Sequence, residues 1–169
     1  MDKLSRRDLT MRVVAACAVL AALSGCAGAQ TAPAKTGTSM PITAIEIERN
    51  AFGTADASVL TLRADGRAVL VTPGNARLGV AERRAQAVLA RPDFDALART
   101  VVERGFFALD PRYEDATTAD GEWTALRVER AGVWTEVVRR EHEGPPALRA
   151  IEAAVRGLQQ RLRFVAVPP

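Results

Sequence analysis

The side chains able to do chemistry are unevenly spread along this chain. Asp110, Glu114, Asp115, Asp120 and Glu122 put five carboxylates into the 13 residues from 110 to 122, with Tyr113 among them. Oxygen-rich loops can hold calcium, and paired carboxylates can act as general acid and base. The spacing matches no EF-hand loop, because the D-x-[DN]-x-[DN]-G core is absent. A solvated acidic loop is therefore expected. His142 is the single histidine and lies in Arg139-Arg140-Glu141-His142-Glu143-Gly144-Pro145. No G-x-S-x-G or comparable nucleophile motif accompanies it, so it is expected in an exposed turn. Trp123 and Trp134 are expected to cover a sheet, with an exposed platform for sugar or peptidoglycan as the alternative. The glycines are scattered at turns and form no phosphate loop. One His and two Cys, Cys17 and Cys26, are too few for a His/Cys metal site or a disulfide scaffold. No catalytic residue, metal ligand or cofactor is expected.

The strongest chemical signal is at Cys26. Lys3, Arg6, Arg7 and Arg12 form a basic head, and Val13 to Leu23 is an apolar run of 11 residues. At about 1.5 Å per residue such a run is too short to cross a hydrocarbon core of roughly 30 Å, and basic head plus short apolar middle describes an export signal. Leu23-Ser24-Gly25-Cys26 then resembles the lipobox of bacterial lipoproteins. The resemblance implies cleavage before Cys26, a thioether-linked diacylglycerol on its sulfur and, usually, a third acyl chain on its new amino group. Val14-Ala15-Ala16-Cys17 fits the same pattern but has almost no apolar run before it. Two or more acyl chains anchor a protein stably without a transmembrane helix. Ala27 stands where Asp would act as an inner-membrane retention signal in many Gram-negative bacteria, which favours the outer membrane. Ser5-Arg6-Arg7-Asp8-Leu9 resembles a twin-arginine export motif. The general secretory route and the twin-arginine route both stay open.

Of the 169 residues, 144 remain after cleavage, and removing residues 1–25 takes away four basic and two acidic side chains. The mature chain has 19 basic and 18 acidic residues, so most of the formal +3 belongs to the signal. A near-neutral, exported body argues against nucleic acid as a partner. Residues 26–41 hold the lipidated Cys26 and a small, polar, Pro-bearing stretch that reads as a flexible tether. A single domain is expected over 42–165.

Within the domain, Ile42 to Glu48 reads as a strand. Val59–Arg63 and Ala68–Val71 flank Asp65-Gly66 and predict a hairpin whose two turn residues both take positive φ. Trp123–Arg130 and Val133–Arg140 flank Ala131-Gly132 and predict a second hairpin, with Arg127 opposite Glu136 and Glu129 opposite Trp134. Pro92 to Arg104 predicts a helix that starts on Pro and Asp and stops at Gly105. Leu148, Ile151, Val155, Leu158 and Leu162 make one apolar stripe of a final helix opening at Pro145-Pro146, with Arg149, Glu152, Arg156, Gln159 and Arg161 on its other face. Residues 80–90 have helical propensity but lie between Gly79 and Pro92. A one-stripe helix must bury its stripe, and a sheet with one apolar face is its natural partner. The expected fold is α+β: a mainly antiparallel sheet built from hairpins with two helices packed on one face.

Several of these pieces recur together. Ala51-Phe52-Gly53-Thr54-Ala55-Asp56, the strand up to Asp65-Gly66, Phe106-Phe107-Ala108-Leu109, Tyr113, Asp120 and Pro146-Ala147-Leu148 resemble, over roughly residues 44–160, a bacterial envelope domain family of unknown function often found on lipoproteins. Its members carry C-F-G-x-C-P-x-Y. Here Ala51 and Ala55 stand for the two cysteines, Asp56 for the Pro and Ser58 for the Tyr. Any disulfide, metal or redox role of those cysteines is therefore absent. The resemblance also implies a strand near residues 81–89.

The sequence thus describes a lipid-anchored protein of the bacterial cell envelope on the periplasmic face of the outer membrane. It is read as a non-catalytic binding or interaction module, with an envelope protein or peptidoglycan as candidate partner. The alternative is a small hydrolase or metal-dependent enzyme using the 110–122 loop. Metabolic labelling with a fatty-acid analogue should mark the wild-type protein and leave Cys26→Ser unlabelled. Loss of label in Cys17→Ser instead would assign the lipid to the earlier box.

Overall fold

Alternation of apolar and polar side chains decides which way each strand faces. The computed structural model describes residues 40–51, 57–114 and 121–168. They form β1 (Ile42–Ala51), β2 (Ser58–Arg63), β3 (Arg67–Thr72), β4 (Arg83–Val88), β5 (Arg112–Tyr113), β6 (Glu122–Arg130), β7 (Val133–Arg140) and β8 (Val165–Val167), with helices α1 (Arg91–Glu103) and α2 (Pro146–Arg161). One sheet has the order β5-β7-β6-β1-β2-β3-β4-β8. Its neighbouring strands are antiparallel except β5 and β7, which are parallel. Ile45, Ile47, Leu60, Leu62, Leu126, Val128 and Val137 share one face and form a single core with Phe94, Leu97, Val101, Phe106, Leu148, Ile151, Val155 and Leu158 from the helical side. This is the expected α+β architecture.

The two hairpins turn differently. Ala131 and Gly132 take φ of 54° and 75°, a two-residue turn whose twist suits the strands, and the register places Arg127 opposite Glu136 and Glu129 opposite Trp134. At the other hairpin only Gly66 has positive φ, +92°, and its N–H donates to the Arg63 carbonyl at 3.1 Å. Three residues, Ala64 to Gly66, join these strands, and such a loop needs positive φ only at its last residue, so Asp65 stays on the ordinary side. Its carboxylate accepts from the Arg67 backbone N–H at 3.1 Å and from the Arg67 guanidinium at 2.6 Å.

Residues 83–88 are a strand. Helical propensity loses there because β3 pairs with six successive residues on one side and β8 covers the other. β8 was not foreseen. The outer strands are short, two residues in β5 and three in β8, which limits the unpaired edge offered to other chains.

α2 buries Leu148, Ile151, Val155 and Leu158, as its period predicts. One residue departs from the expected polar face: Glu152 is only 3% exposed. Its physical reason lies on β7 and is given below. Phe106 is fully buried in a short 3₁₀ turn after α1, with Phe107 edge-on to it at 5.4 Å between ring centres.

With no disulfide available in the domain, this packing carries its stability. Leu158→Ala should cost about 2–5 kcal/mol, a large share of a small domain's stability. A urea unfolding curve on the mature chain checks this; an unchanged midpoint would place α2 outside the core.

Candidate functional site

Among the described residues, those singled out by chemistry do not gather at one place. Cys26, the signal and tether to residue 39, the family-like segment 52–56, and Asp115 and Asp120 all lie outside the described residues. In the described part of the acidic loop, Arg112 and Arg140 donate to Glu114 at 3.1 Å each. Those hydrogen bonds hold its carboxyl below the ordinary carboxylate range. Tyr113 alternates to the opposite side of β5 from Arg112 and takes a structural bond, its hydroxyl accepting from the Asp110 backbone N–H at 3.0 Å. Among the described residues, no group of three His, Cys, Asp or Glu could hold a metal ion. His142 is exposed, and its backbone carbonyl accepts from Arg149 at 3.2 Å. Trp123 and Trp134 both sit on the face of the sheet away from the helices, opposite Arg140 and Glu129 respectively. Those positions are six residues apart along β6, roughly 20 Å of strand, so the two rings do not form one platform.

The centre of that open face is a closed charge network. Arg127 Nη1 lies 2.8 Å from Glu46 and 2.9 Å from Glu48, and its Nε lies 2.5 Å from Glu136. Burial alone would lower the Arg127 pKa, but hydrogen bonds to Glu46, Glu136 and Glu48 outweigh it and raise it. Thr61 also donates to Glu46 at 2.9 Å.

A second polar row lies on the helix face. The register aligns Ser58, Arg49, Thr124, Arg139 and Tyr113 across five strands, beneath α2. Arg139 grips Glu152 with two parallel bonds, Nε to Oε1 at 2.6 Å and Nη2 to Oε2 at 2.7 Å. This fork explains why Glu152 is buried: a carboxylate can leave water when a guanidinium meets both oxygens. The bond to Glu152 raises the Arg139 pKa against the opposing effect of burial. Arg49 donates to Gln159 Oε1 at 3.2 Å, but its buried Nη2 has no partner. Burial, then repulsion from Arg156, depress its pKa, and Arg139 adds to the effect.

The third concentration is a groove of about 470 Å³ between α1 and the sheet end where β1 begins and β6 stops. Arg91, Asp95, Arg99, Val102 and Glu103 line it from one stripe of α1, facing Met40, Pro41, Ile42 and Arg130. Arg91 pairs with Asp95 at 2.8 Å. Arg130 stacks over the Phe107 ring, 3.6 Å from its centre, and its buried Nε has no hydrogen-bond partner. The volume lies within the range of small-ligand clefts. The groove escapes sequence reading because Arg130 looks like an ordinary residue before a hairpin turn. Among the described residues no helix is long and apolar enough to cross a membrane.

The Arg139–Glu152 pair yields a direct test. Glu152→Ala leaves a buried guanidinium alone and should cost about 3–5 kcal/mol, whereas joint replacement by Arg139→Met and Glu152→Leu should cost far less. Urea midpoints of the two singles and the double measure the coupling; additive losses would show that the two side chains do not act as a pair.

No family model matches this chain, and no curated protein matches it.

Proposed function

We propose that this chain is a lipid-anchored protein of the bacterial cell envelope, held on the periplasmic face of the outer membrane, whose domain is a non-catalytic binding module. The observation that carries the reading is Leu23-Ser24-Gly25-Cys26 behind a basic head and an 11-residue apolar run. Acylation there gives a stable anchor without a membrane-spanning helix.

The geometry supports binding over catalysis. Glu114 is engaged by two guanidiniums, and Tyr113 is turned to the other side of its strand, so these two members of the acidic loop do not share a site. The groove beside α1 offers instead an apolar rim and unspent hydrogen-bonding capacity. It opens at Met40, where the expected tether enters the domain. The likeness to the C-F-G-x-C-P-x-Y envelope domains, read from sequence motifs, agrees with an envelope role.

Density-gradient separation of membranes tests the placement. In a Gram-negative host the wild type should band with the outer membrane, and Ala27→Asp should move it to the inner membrane. Wild-type protein banding with the inner membrane would overturn the outer-membrane assignment. A mature N-terminus without diacylglycerol on Cys26, read by mass spectrometry, would overturn the anchor itself.

A further inference from the structure

Arg130 is the one guanidinium of the groove fixed by an aromatic ring. Phe107 covers one of its faces, and its Nε is buried with no acceptor. That Nε is out of a ligand's reach, so an anion in the groove would meet the remaining edge of the guanidinium, which lines it. Among the described residues, Arg130 and Arg99 have no carboxylate within ion-pair distance, while Arg91 is already engaged by Asp95. Glu103 is the only other carboxylate of the lining, so the groove carries a surplus of positive charge. Its rim is apolar and open to solvent: Met40 is 54% and Val102 50% exposed. A small inorganic anion would meet the guanidiniums and leave that rim in water. A ligand with a phosphate and an adjoining apolar part would satisfy both.

We propose that the groove between α1 and the start of β1 is a headgroup site for an acidic phospholipid, whose phosphate sits on Arg130 and Arg99 while Met40 and Val102 enter the acyl boundary. The choice of a bilayer lipid rests on the reading of Cys26 as the anchor. Thirteen residues lie between Cys26 and Met40, so the chain can carry Met40 no further than about 50 Å from Cys26 even at full extension. The groove therefore lies within easy reach of the headgroup layer that holds the acyl chains of Cys26. Bound there, the domain lies against the bilayer by its α1 flank.

The test uses the whole mature chain from residue 26 with Cys26→Ser, so that no acyl chain contributes, and vesicle flotation at about 0.1 M salt. Vesicles of phosphatidylcholine with one part in three phosphatidylglycerol should carry the protein, and pure phosphatidylcholine vesicles should not. Arg99→Gln and Arg130→Gln should each lower the partition about fivefold, as expected for one basic side chain at an anionic surface. Arg156→Gln, on α2, should leave it unchanged. Arg99 lies on the exposed side of α1, so that variant carries the test if Arg130→Gln fails to fold. Equal flotation on both vesicle types, or an Arg156→Gln loss as large as that of Arg99→Gln, overturns the site. Binding of glycerol phosphate to the lipid-free protein, read by calorimetry, together with no flotation on phosphatidylglycerol vesicles would assign the groove to a soluble phosphate and overturn the bilayer source. Lipid labelling of Cys26 is read separately: label present with no flotation overturns the groove alone, and flotation with no label overturns the anchor alone.

Discussion

Glu152 enters the interior of this domain only because Arg139 comes with it. An isolated carboxylate at 3% exposure would be driven to protonate or to reach solvent. The fork of two bonds at 2.6 and 2.7 Å removes that pressure and fixes α2 both along and across β7. An apolar stripe alone leaves a helix free to slide by small steps over a sheet of similar side chains. A buried two-point bond does not. With α2 held, Leu148, Ile151, Val155 and Leu158 meet the sheet in one register, and α1 packs beside them over the same core.

The two faces of the sheet solve opposite problems. The helix face excludes water, and its polar row is confined to the end where Arg49, Thr124 and Arg139 stand side by side. The open face stays wet and cannot rely on packing. There the alternating positions of β1, β6 and β7 bring Glu46, Glu48 and Glu136 around Arg127, tying three adjacent strands by side chains as well as by backbone. Three carboxylates gathered on the two strands flanking β6 would repel without that central cation. The same alternation puts Tyr113 on the opposite side of β5 from Arg112, the partner of Glu114.

What was legible in the sequence follows the range of the interaction that determines it. The Ala131-Gly132 hairpin and its register were readable because the turn and both strands are contiguous. The buried stripe of α2 was readable because helical period is local. Glu152 was misplaced for the complementary reason: its partner lies 13 residues earlier on another element, and nothing in the helix itself marks one Glu among several as buried. Asp65 escapes the expected positive φ because the loop has three residues and not two, a length that the Asp-Gly pair alone does not fix. The strand at 83–88 ran against its own propensity and needed neighbours on both sides to form. The groove was invisible because its lining joins α1 to the distant ends of β1 and β6. Arg130 gives no signal until Phe107 is seen beneath it.

The cation chosen at each of these places is arginine. Lys3 and Lys35 are the chain's only lysines, and both precede the domain. The structure uses what distinguishes the guanidinium from an ammonium. Arg139 meets two oxygens of one carboxylate, Arg127 serves three carboxylates in different directions, and Arg130 lies flat over an aromatic ring. A lysine could supply the charge at these sites but not a planar fork or a stacking face. The same planarity matters in the groove. The Phe107 ring beneath Arg130 gives that cation a favourable contact in place of the carboxylate it lacks. Arg130 thus presents to the groove a cation that an aromatic ring supports and no carboxylate neutralises.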